Sequence, residues 1–122
     1  MANLTSLVRL DLSGNDISGS IPEEIAALPG LQTLMLAGNR LGGNIPLSLG
    51  AAASLRYVNL AGNSLSGAIP DSLTKAPLLR VLSPSRNFPA GKIPGTLFNK
   101  SSNLVTVNLQ WNRFQGAIPY WK

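Results

Sequence analysis

Hydrophobic residues return at fixed positions along the whole chain, and the stretch from Leu55 to Pro70 shows their arrangement. Val58 and Leu60 are separated by one polar residue, so this part alternates with a period of two. Such alternation predicts a short β-strand with one face buried and the other in solvent. The same arrangement begins at five leucines: Leu7, Leu31, Leu55, Leu79 and Leu104.

An asparagine follows each predicted strand, at Asn15, Asn39, Asn63, Asn87 and Asn112. Successive asparagines are 24, 24, 24 and 25 residues apart. The pattern L-x-x-L-x-L-x-x-N-x-L at a fixed period of about 20–29 residues is the signature of leucine-rich repeats, whose coils stack into a solenoid. Because the chain must bend after each strand, we expect these carboxamides to point inward and pair with backbone N–H and C=O groups, forming a structural ladder.

A Gly-x-Ile-Pro sequence closes each repeat, ending at Pro22, Pro46, Pro70, Pro94 and Pro119. With this ending the chain resembles the plant-type leucine-rich repeats in the ectodomains of receptor kinases and receptor-like proteins. The resemblance implies a right-handed coil with short parallel strands on the concave face, and short second strands and helical turns on the convex side. It also implies an extracellular location at the plasma membrane, a peptide or protein ligand on the concave face, and a co-receptor ectodomain as a further partner.

We therefore expect a single α/β solenoid domain of five repeats, at about 4–28, 29–52, 53–76, 77–101 and 102–122. Leu12 and Ile17 of the first repeat are expected to point into its core. No capping segment, signal peptide or apolar run of membrane-span length is evident in the sequence. We expect a fragment of a longer receptor, whose open ends favour end-to-end self-association.

The fourth repeat departs from the pattern at two prolines. Pro84 stands where the second strand leucine belongs, and Pro89 replaces the leucine two residues after Asn87. Proline cannot donate a ladder hydrogen bond, so we expect this strand to be weakened or shortened. The departure is either drift in one repeat or a break that directs Ser85 and Arg86 towards a ligand.

Composition narrows the function. The 122 residues include no cysteine and no histidine, and the few carboxylates form no catalytic pair, so we expect no enzyme activity, no cofactor and no metal site. The formal charge is +5, and from Ser72 onward there are seven basic residues and no acidic one, which favours an acidic partner. These basic residues are scattered and no nucleic-acid motif is present, so nucleic acid is not an expected partner.

The residues that flank each strand leucine should face solvent on the concave side. Adjacent strands lie about 4.7–4.9 Å apart, so Arg56 and Arg80 should be neighbours able to bind an anion such as a carboxylate. Tyr57, Met35 and Trp111 offer apolar contact of the kind found at interface anchors. The candidate partner-binding residues are Arg9, Asp11, Gln32, Met35, Arg56, Tyr57, Asn59, Arg80, Arg86, Asn108 and Trp111. The alternative is a solvated surface that binds nothing.

A narrower resemblance extends from Ser54 to Pro119. Ser-Leu-Arg-Tyr-Val-Asn-Leu and Thr-Leu-Phe-Asn-Lys-Ser-Ser are similar to grass members of the immune receptor-kinase subfamily that perceives bacterial elicitors, which implies a role in innate immunity. Asn3 and Asn99 begin N-glycosylation acceptor triplets, as in a glycoprotein. Two other functions stay open: a soluble inhibitor of microbial enzymes, and a scaffold fragment without a ligand of its own.

Overall fold

The computed structural model describes residues 4–98 and 103–115. The first strand of each coil joins a parallel five-stranded sheet with the order β1-β3-β5-β7-β9. Its strands are β1 (Arg9–Asp11), β3 (Thr33–Met35), β5 (Tyr57–Asn59), β7 (Val81–Ser83) and β9 (Thr106–Val107). Equivalent residues stand opposite one another, as Leu10, Leu34 and Val58 do, so the sheet reproduces the sequence period.

A second parallel sheet forms after the asparagines and has the order β10-β8-β6-β4-β2. Its strands are β2 (Ser18–Ser20), β4 (Arg40–Asn44), β6 (Ser64–Gly67), β8 (Phe88–Lys92) and β10 (Arg113–Gln115). Two stacked sheets in one coil confirm the predicted solenoid and its second strands.

The predicted helical turns are short 3₁₀ helices. In the described ranges these are Glu23–Ala27, Leu47–Ala51, Asp71–Lys75 and Gly95–Phe98. Each follows the proline of Gly-x-Ile-Pro, and Pro22, Pro46 and Pro70 hold the extended backbone that leads into the helix. Each hydrogen bond joins two residues that are three positions apart, as from the Ile25 N–H to the Pro22 carbonyl (3.2 Å).

The core lies between the two sheets and the helices, where the repeated leucines of successive coils meet. Leu34, Leu60 and Leu82 are fully buried. Leu12 and Ile17, predicted to be inward, are instead 37% and 36% exposed. Strands β1 and β2 stand at the edges of their sheets, so the first coil has a neighbour on one side alone in the described chain. The repeat boundaries stay a prediction, since residues 99–102 and 116–122 lie outside the described part.

Asn63 shows how the asparagine ladder joins neighbouring coils. Its Nδ2 donates to the Leu60 carbonyl in its own coil (3.0 Å) and to the Leu36 carbonyl in the preceding coil (2.9 Å). Its Oδ1 accepts from the Leu41 N–H (3.0 Å). Asn39 and Asn87 are buried in the same way. The ladder therefore satisfies backbone groups that each bend leaves inside the molecule.

The two terminal asparagines are held less completely. Asn15 is exposed, and its Nδ2 donates to the Leu12 carbonyl (2.8 Å) and the Ser13 carbonyl (3.2 Å). Asn112 is half-buried and donates to the Leu109 carbonyl (3.0 Å). All five carboxamides thus pair with a carbonyl of their own bend, as expected, while full burial is confined to the inner coils because the first coil is uncovered on one side.

Pro84 does not shorten its strand. β7 has three residues, as β5 does, and pairs with both neighbours. The effect falls one residue later: the Leu60 N–H donates to the Ser83 carbonyl (2.9 Å), and proline has no N–H with which to make the equivalent bond to Asn108. The Pro84 side chain is fully buried in the place of the leucine. One hydrogen bond is lost while the packing is kept.

Pro89 changes the ladder instead. The Ile17, Leu41 and Leu65 N–H groups each donate to the asparagine Oδ1 of the next coil. Pro89 cannot, and Asn112 Oδ1 accepts from the Asn87 N–H (3.0 Å). A neighbouring donor thus keeps the carboxamide paired.

Candidate functional site

The concave sheet turns one set of side chains outward. Leu34 and Val58 point into the core, and the residues on either side of them face the opposite way, as period-two alternation requires. Met35, Tyr57 and Asn59 are half-buried on this face, and Gln32 is exposed just before β3. The face is therefore lined by polar and apolar side chains that are at least partly open to solvent.

In the first coil, the two charged side chains of this face pair with each other. Arg9 Nη2 lies 3.2 Å from Asp11 Oδ2 and also donates to Met35 Sδ (3.2 Å). Asp11 Oδ1 accepts from the Ser13 N–H (3.1 Å), and this bond, with the nearby Arg9 charge, lowers the pKa of the Asp11 carboxyl below its usual value. Because Arg9 and Asp11 satisfy each other, they offer an incoming partner little net charge.

The third and fourth coils differ, because two arginines stand side by side there without an acidic neighbour. The Arg80 N–H donates to the Arg56 carbonyl (2.9 Å), which fixes the two backbones in adjacent coils. Both side chains are exposed, and within residues 4–98 and 103–115 neither guanidinium makes an ion pair or a hydrogen bond. Two like charges placed together favour an anion between them.

A pocket of about 320 Å³ opens beside this pair, lined by Arg56, Pro77, Leu78, Arg80 and Asn103. Asn103 Nδ2 donates to the Pro77 carbonyl (2.7 Å), which fixes one wall. Leu78 is 41% exposed and supplies an apolar surface. Guanidinium groups beside an apolar wall suit a carboxylate carried on an aliphatic stem. We call Arg56, Arg80, Leu78 and Asn103 the arginine pocket.

Sequence reasoning missed Pro77, Leu78 and Asn103. These residues lie just before the first leucine of a repeat, whereas the predicted binding residues lie in the strands or close beside them. The signal available in the sequence was their position directly before a strand. Ser54, two residues before Arg56, likewise donates from its Oγ to the Pro29 carbonyl of the preceding coil (2.8 Å). The loop that enters each strand is thus part of the same surface.

Other predicted residues are engaged locally. Asn59 Oδ1 accepts from the Ala61 N–H (3.1 Å), and Asn108 Nδ2 donates to Ser83 Oγ (3.4 Å). Ser85 is buried, which argues against the alternative in which the fourth repeat directs it towards a ligand. Arg86 is exposed at the next position.

Arg86 and Trp111 share an unusual backbone conformation. Their φ angles are 56° and 60°, and in the described chain they are the two non-glycine residues with positive φ. Trp111 is 75% exposed. The Arg86 N–H donates to the Gln110 carbonyl (3.2 Å), so the two residues follow one another in neighbouring coils.

Some expectations fall elsewhere. Asn3 and Asn99, the proposed glycosylation sites, lie outside the described residues. Among residues 4–98 and 103–115, no three acidic side chains converge as a metal site would require, and no helix there is long and apolar enough to cross a membrane.

The sequence matches the Leucine Rich Repeat family over residues 6–28, 30–52 and 54–76, more than half of the chain. The chain belongs to this family of solenoid proteins. No curated protein matches it significantly.

Solved structures similar to the chain include those of plant receptors. The GASSHO1/SCHENGEN3 ectodomain from Arabidopsis thaliana, in complex with CASPARIAN STRIP INTEGRITY FACTOR 2, is 36% identical with a TM-score of 0.89, over 97% of this chain and 14% of that chain. The plant peptide hormone receptor RGFR1, in complex with RGF2, is 34% identical with a TM-score of 0.90, over 97% and 19%. The BIR3–SERK2 complex from Arabidopsis thaliana is 42% identical with a TM-score of 0.75, over 92% and 62%.

The chain thus spans less than a fifth of the two receptor ectodomains that are solved with their ligands. What those whole ectodomains bind is a property of many more coils than are present here. The fold is shared, while the ligand must be argued from this chain's own surface.

Proposed function

We propose that the chain is the ligand-binding part of a plant receptor ectodomain and holds an extended acidic peptide on its concave face. The observation that carries the proposal is the arginine pocket, where two exposed, unpaired guanidinium groups share one opening with an apolar wall. The plant peptide hormone receptor RGFR1, solved in complex with RGF2, supports a peptide as the ligand.

The charge distribution supports an acidic ligand. The five acidic residues all lie at or before Asp71, and seven of the ten basic residues follow it. A ligand with carboxylates is therefore drawn to the third, fourth and fifth coils, where the arginine pocket lies. Tyr57 and Leu78 supply apolar contact beside the charges.

The wider role follows from the similarity to receptor ectodomains. We infer an extracellular location and a protein partner such as a co-receptor, for which the BIR3–SERK2 complex is a precedent. The role in immunity, the grass elicitor-receptor subfamily and glycosylation at Asn3 and Asn99 are further proposals drawn from sequence resemblance. Recognition alone is proposed, since the chain offers no catalytic group in the pocket.

Fluorescence anisotropy with a set of labelled twelve-residue peptides tests the proposal. Each peptide carries Asp or Glu residues, and a partner peptide has Asn or Gln in their place. The wild-type chain should prefer the acidic members. Replacing Arg56 and Arg80 with Gln should weaken that binding about tenfold, since charge-assisted hydrogen bonds contribute about 1.5–3 kcal/mol and solvent screening reduces this here.

The matched control is Arg40→Gln with Lys75→Gln. This control also removes two positive charges, but from the convex side, at β4 and at the end of the Asp71–Lys75 helix. Acidic-peptide binding should survive this change. Equal loss in both double variants would show that net charge alone attracts the peptides, and no loss from the arginine pair would remove the pocket from the binding site.

A further inference from the structure

The column of residues that precedes the ladder asparagines adopts a left-handed backbone. In the first three coils it is glycine: Gly14, Gly38 and Gly62 have φ of 70°, 69° and 66°. Their N–H groups donate to the carbonyl of the next coil, as Gly14 does to Ala37 (2.8 Å). Glycine takes this conformation without strain because it lacks Cβ.

Arg86 and Trp111 occupy the same column in the fourth and fifth coils. There Cβ comes close to the following carbonyl oxygen, which disfavours an ordinary side chain. Space is not the constraint: a Cβ built on Gly14 meets nothing within 4 Å, and one on Gly38 meets its nearest atom at 3.5 Å. The strain at Arg86 and Trp111 is therefore a matter of backbone conformation.

No side-chain hydrogen bond within the described residues offsets that strain. Both side chains are exposed, and across residues 4–98 and 103–115 neither makes a hydrogen bond. An exposed tryptophan contributes little to the core, and an unpaired arginine contributes little to stability. Strained residues that the fold does not need are concentrated at binding sites.

We propose that Arg86 and Trp111 form a paired anchor for the ligand, with the Arg86 guanidinium on a peptide carboxylate and the Trp111 indole against the adjoining side chain. This inference rests on the proposed function and names the second contact region of the same peptide. Arg86 lies six residues after Arg80, on the far side of β7, a separation of at most about 20 Å along the chain. An extended peptide of about six residues crosses β7 and reaches both the arginine pocket and the anchor.

The occupant follows from charge. From Ser72 onward the chain has no acidic residue, so no acidic side chain after Asp71 in the sequence can neutralise Arg86. Arginine and tryptophan side chains are also the types most often found where binding energy is concentrated. The ligand that fits both members is an acidic residue next to an apolar or aromatic one.

Thermal unfolding tests the strain. Arg86→Gly and Trp111→Gly should each raise the midpoint by about 2–4 °C, because relief of the left-handed strain outweighs the added freedom of the unfolded chain. Val105→Gly is the control: it removes an exposed side chain of the fifth coil whose φ is not positive and should lower the midpoint. A fall in midpoint for both anchor variants would show that the two residues serve the fold, and would overturn the inference.

Peptide anisotropy tests the binding role, with the acidic peptide that the wild-type chain binds best as the probe. Arg86→Gly and Trp111→Gly should each weaken its binding about tenfold, while Arg86→Lys and Trp111→Tyr should lose less, because charge and ring are kept. A wild-type chain that binds no acidic peptide overturns the proposed function and this inference together. Peptide binding that depends on Arg56 and Arg80 yet survives both glycine variants overturns the anchor alone.

Discussion

The asparagine side chain of each inner coil forms hydrogen bonds to several backbone groups. Asn63 joins the Leu36 carbonyl, the Leu60 carbonyl and the Leu41 N–H, which belong to two different coils. These backbone groups are buried, so without the asparagine they would have neither water nor a protein group to pair with. The carboxamide has both donors and an acceptor, so neither Asp nor Leu can replace all three bonds.

Asn63→Leu is therefore expected to lower the free energy of unfolding by about 1–3 kcal/mol, since the buried carbonyls and the N–H lose their partners while the bulk is kept. Urea unfolding followed by circular dichroism measures the loss. Asn15→Leu is the control in the same column: Asn15 is exposed, so its carbonyl partners can turn to water, and the change should stay within about 0.5 kcal/mol. Equal losses at both positions would mean that the ladder does not depend on burial.

At the residue scale, the sequence predicted the side chains that recur in every coil better than the positions that depart from the repeat. The ladder and the adjacency of Arg56 and Arg80 follow from spacing alone, because stacking repeats one geometry. The burial of Ser85 and the positive φ of Arg86 and Trp111 did not follow from that spacing. The glycines at 14, 38 and 62 held the signal for φ, since a repeated glycine marks a backbone that other residues avoid.

Among the elements, two neighbouring convex helices lie in close contact at Gly50. A Cβ on Gly50 would collide with the Ser72 carbonyl oxygen and lie 2.6 Å from its carbon, in the helix of the next coil. The φ of Gly50 is not positive, so its glycine is required by space. Gly50 is thus a close packing contact between two helices of the stack.

Gly50→Ala is expected to destabilise the chain by about 1–3 kcal/mol, because the added methyl group pushes two helices apart. Gly30→Ala provides the comparison, since its Cβ would meet the Leu7 carbonyl oxygen at an ordinary 3.6 Å. That variant should be neutral or more stable by about 0.4–1 kcal/mol. Differential scanning calorimetry of both proteins distinguishes the two, and a tolerated Gly50→Ala would show that the helices can separate without loss.

Whole elements were also easier to predict than their irregularities. Strand positions follow from alternation, and β7 keeps its place despite Pro84 because the proline falls one residue after the strand. The exchange of donors at Pro89 could not be foreseen, since it depends on where the Asn87 N–H lies relative to Asn112. The 3₁₀ form of the turns likewise depends on hydrogen bonds that residue type alone does not fix.

On the scale of the whole molecule, stacking turns a one-dimensional pattern into a two-sided surface. Stacking places the Asp16–Arg40 ion pair on the convex side and, on the concave side, Arg56 and Arg80, which make no ion pair within residues 4–98 and 103–115. The five acidic residues all lie at or before Asp71, and seven of the ten basic residues follow it. The molecule therefore has one curved face with an excess of positive charge at one end, which is the physical basis for the proposed acidic peptide.

The central claim is that this concave face is where a ligand binds, and NMR shift mapping tests it most directly. A 12.8 kDa chain suits amide spectra recorded with and without the preferred acidic peptide. The account predicts that shifts concentrate at Arg56, Tyr57, Arg80, Arg86 and the Trp111 indole N–H, while the strands Arg40–Asn44 and Ser64–Gly67 stay unchanged. Shifts centred on those convex strands, with the arginines and Trp111 unmoved, would contradict it.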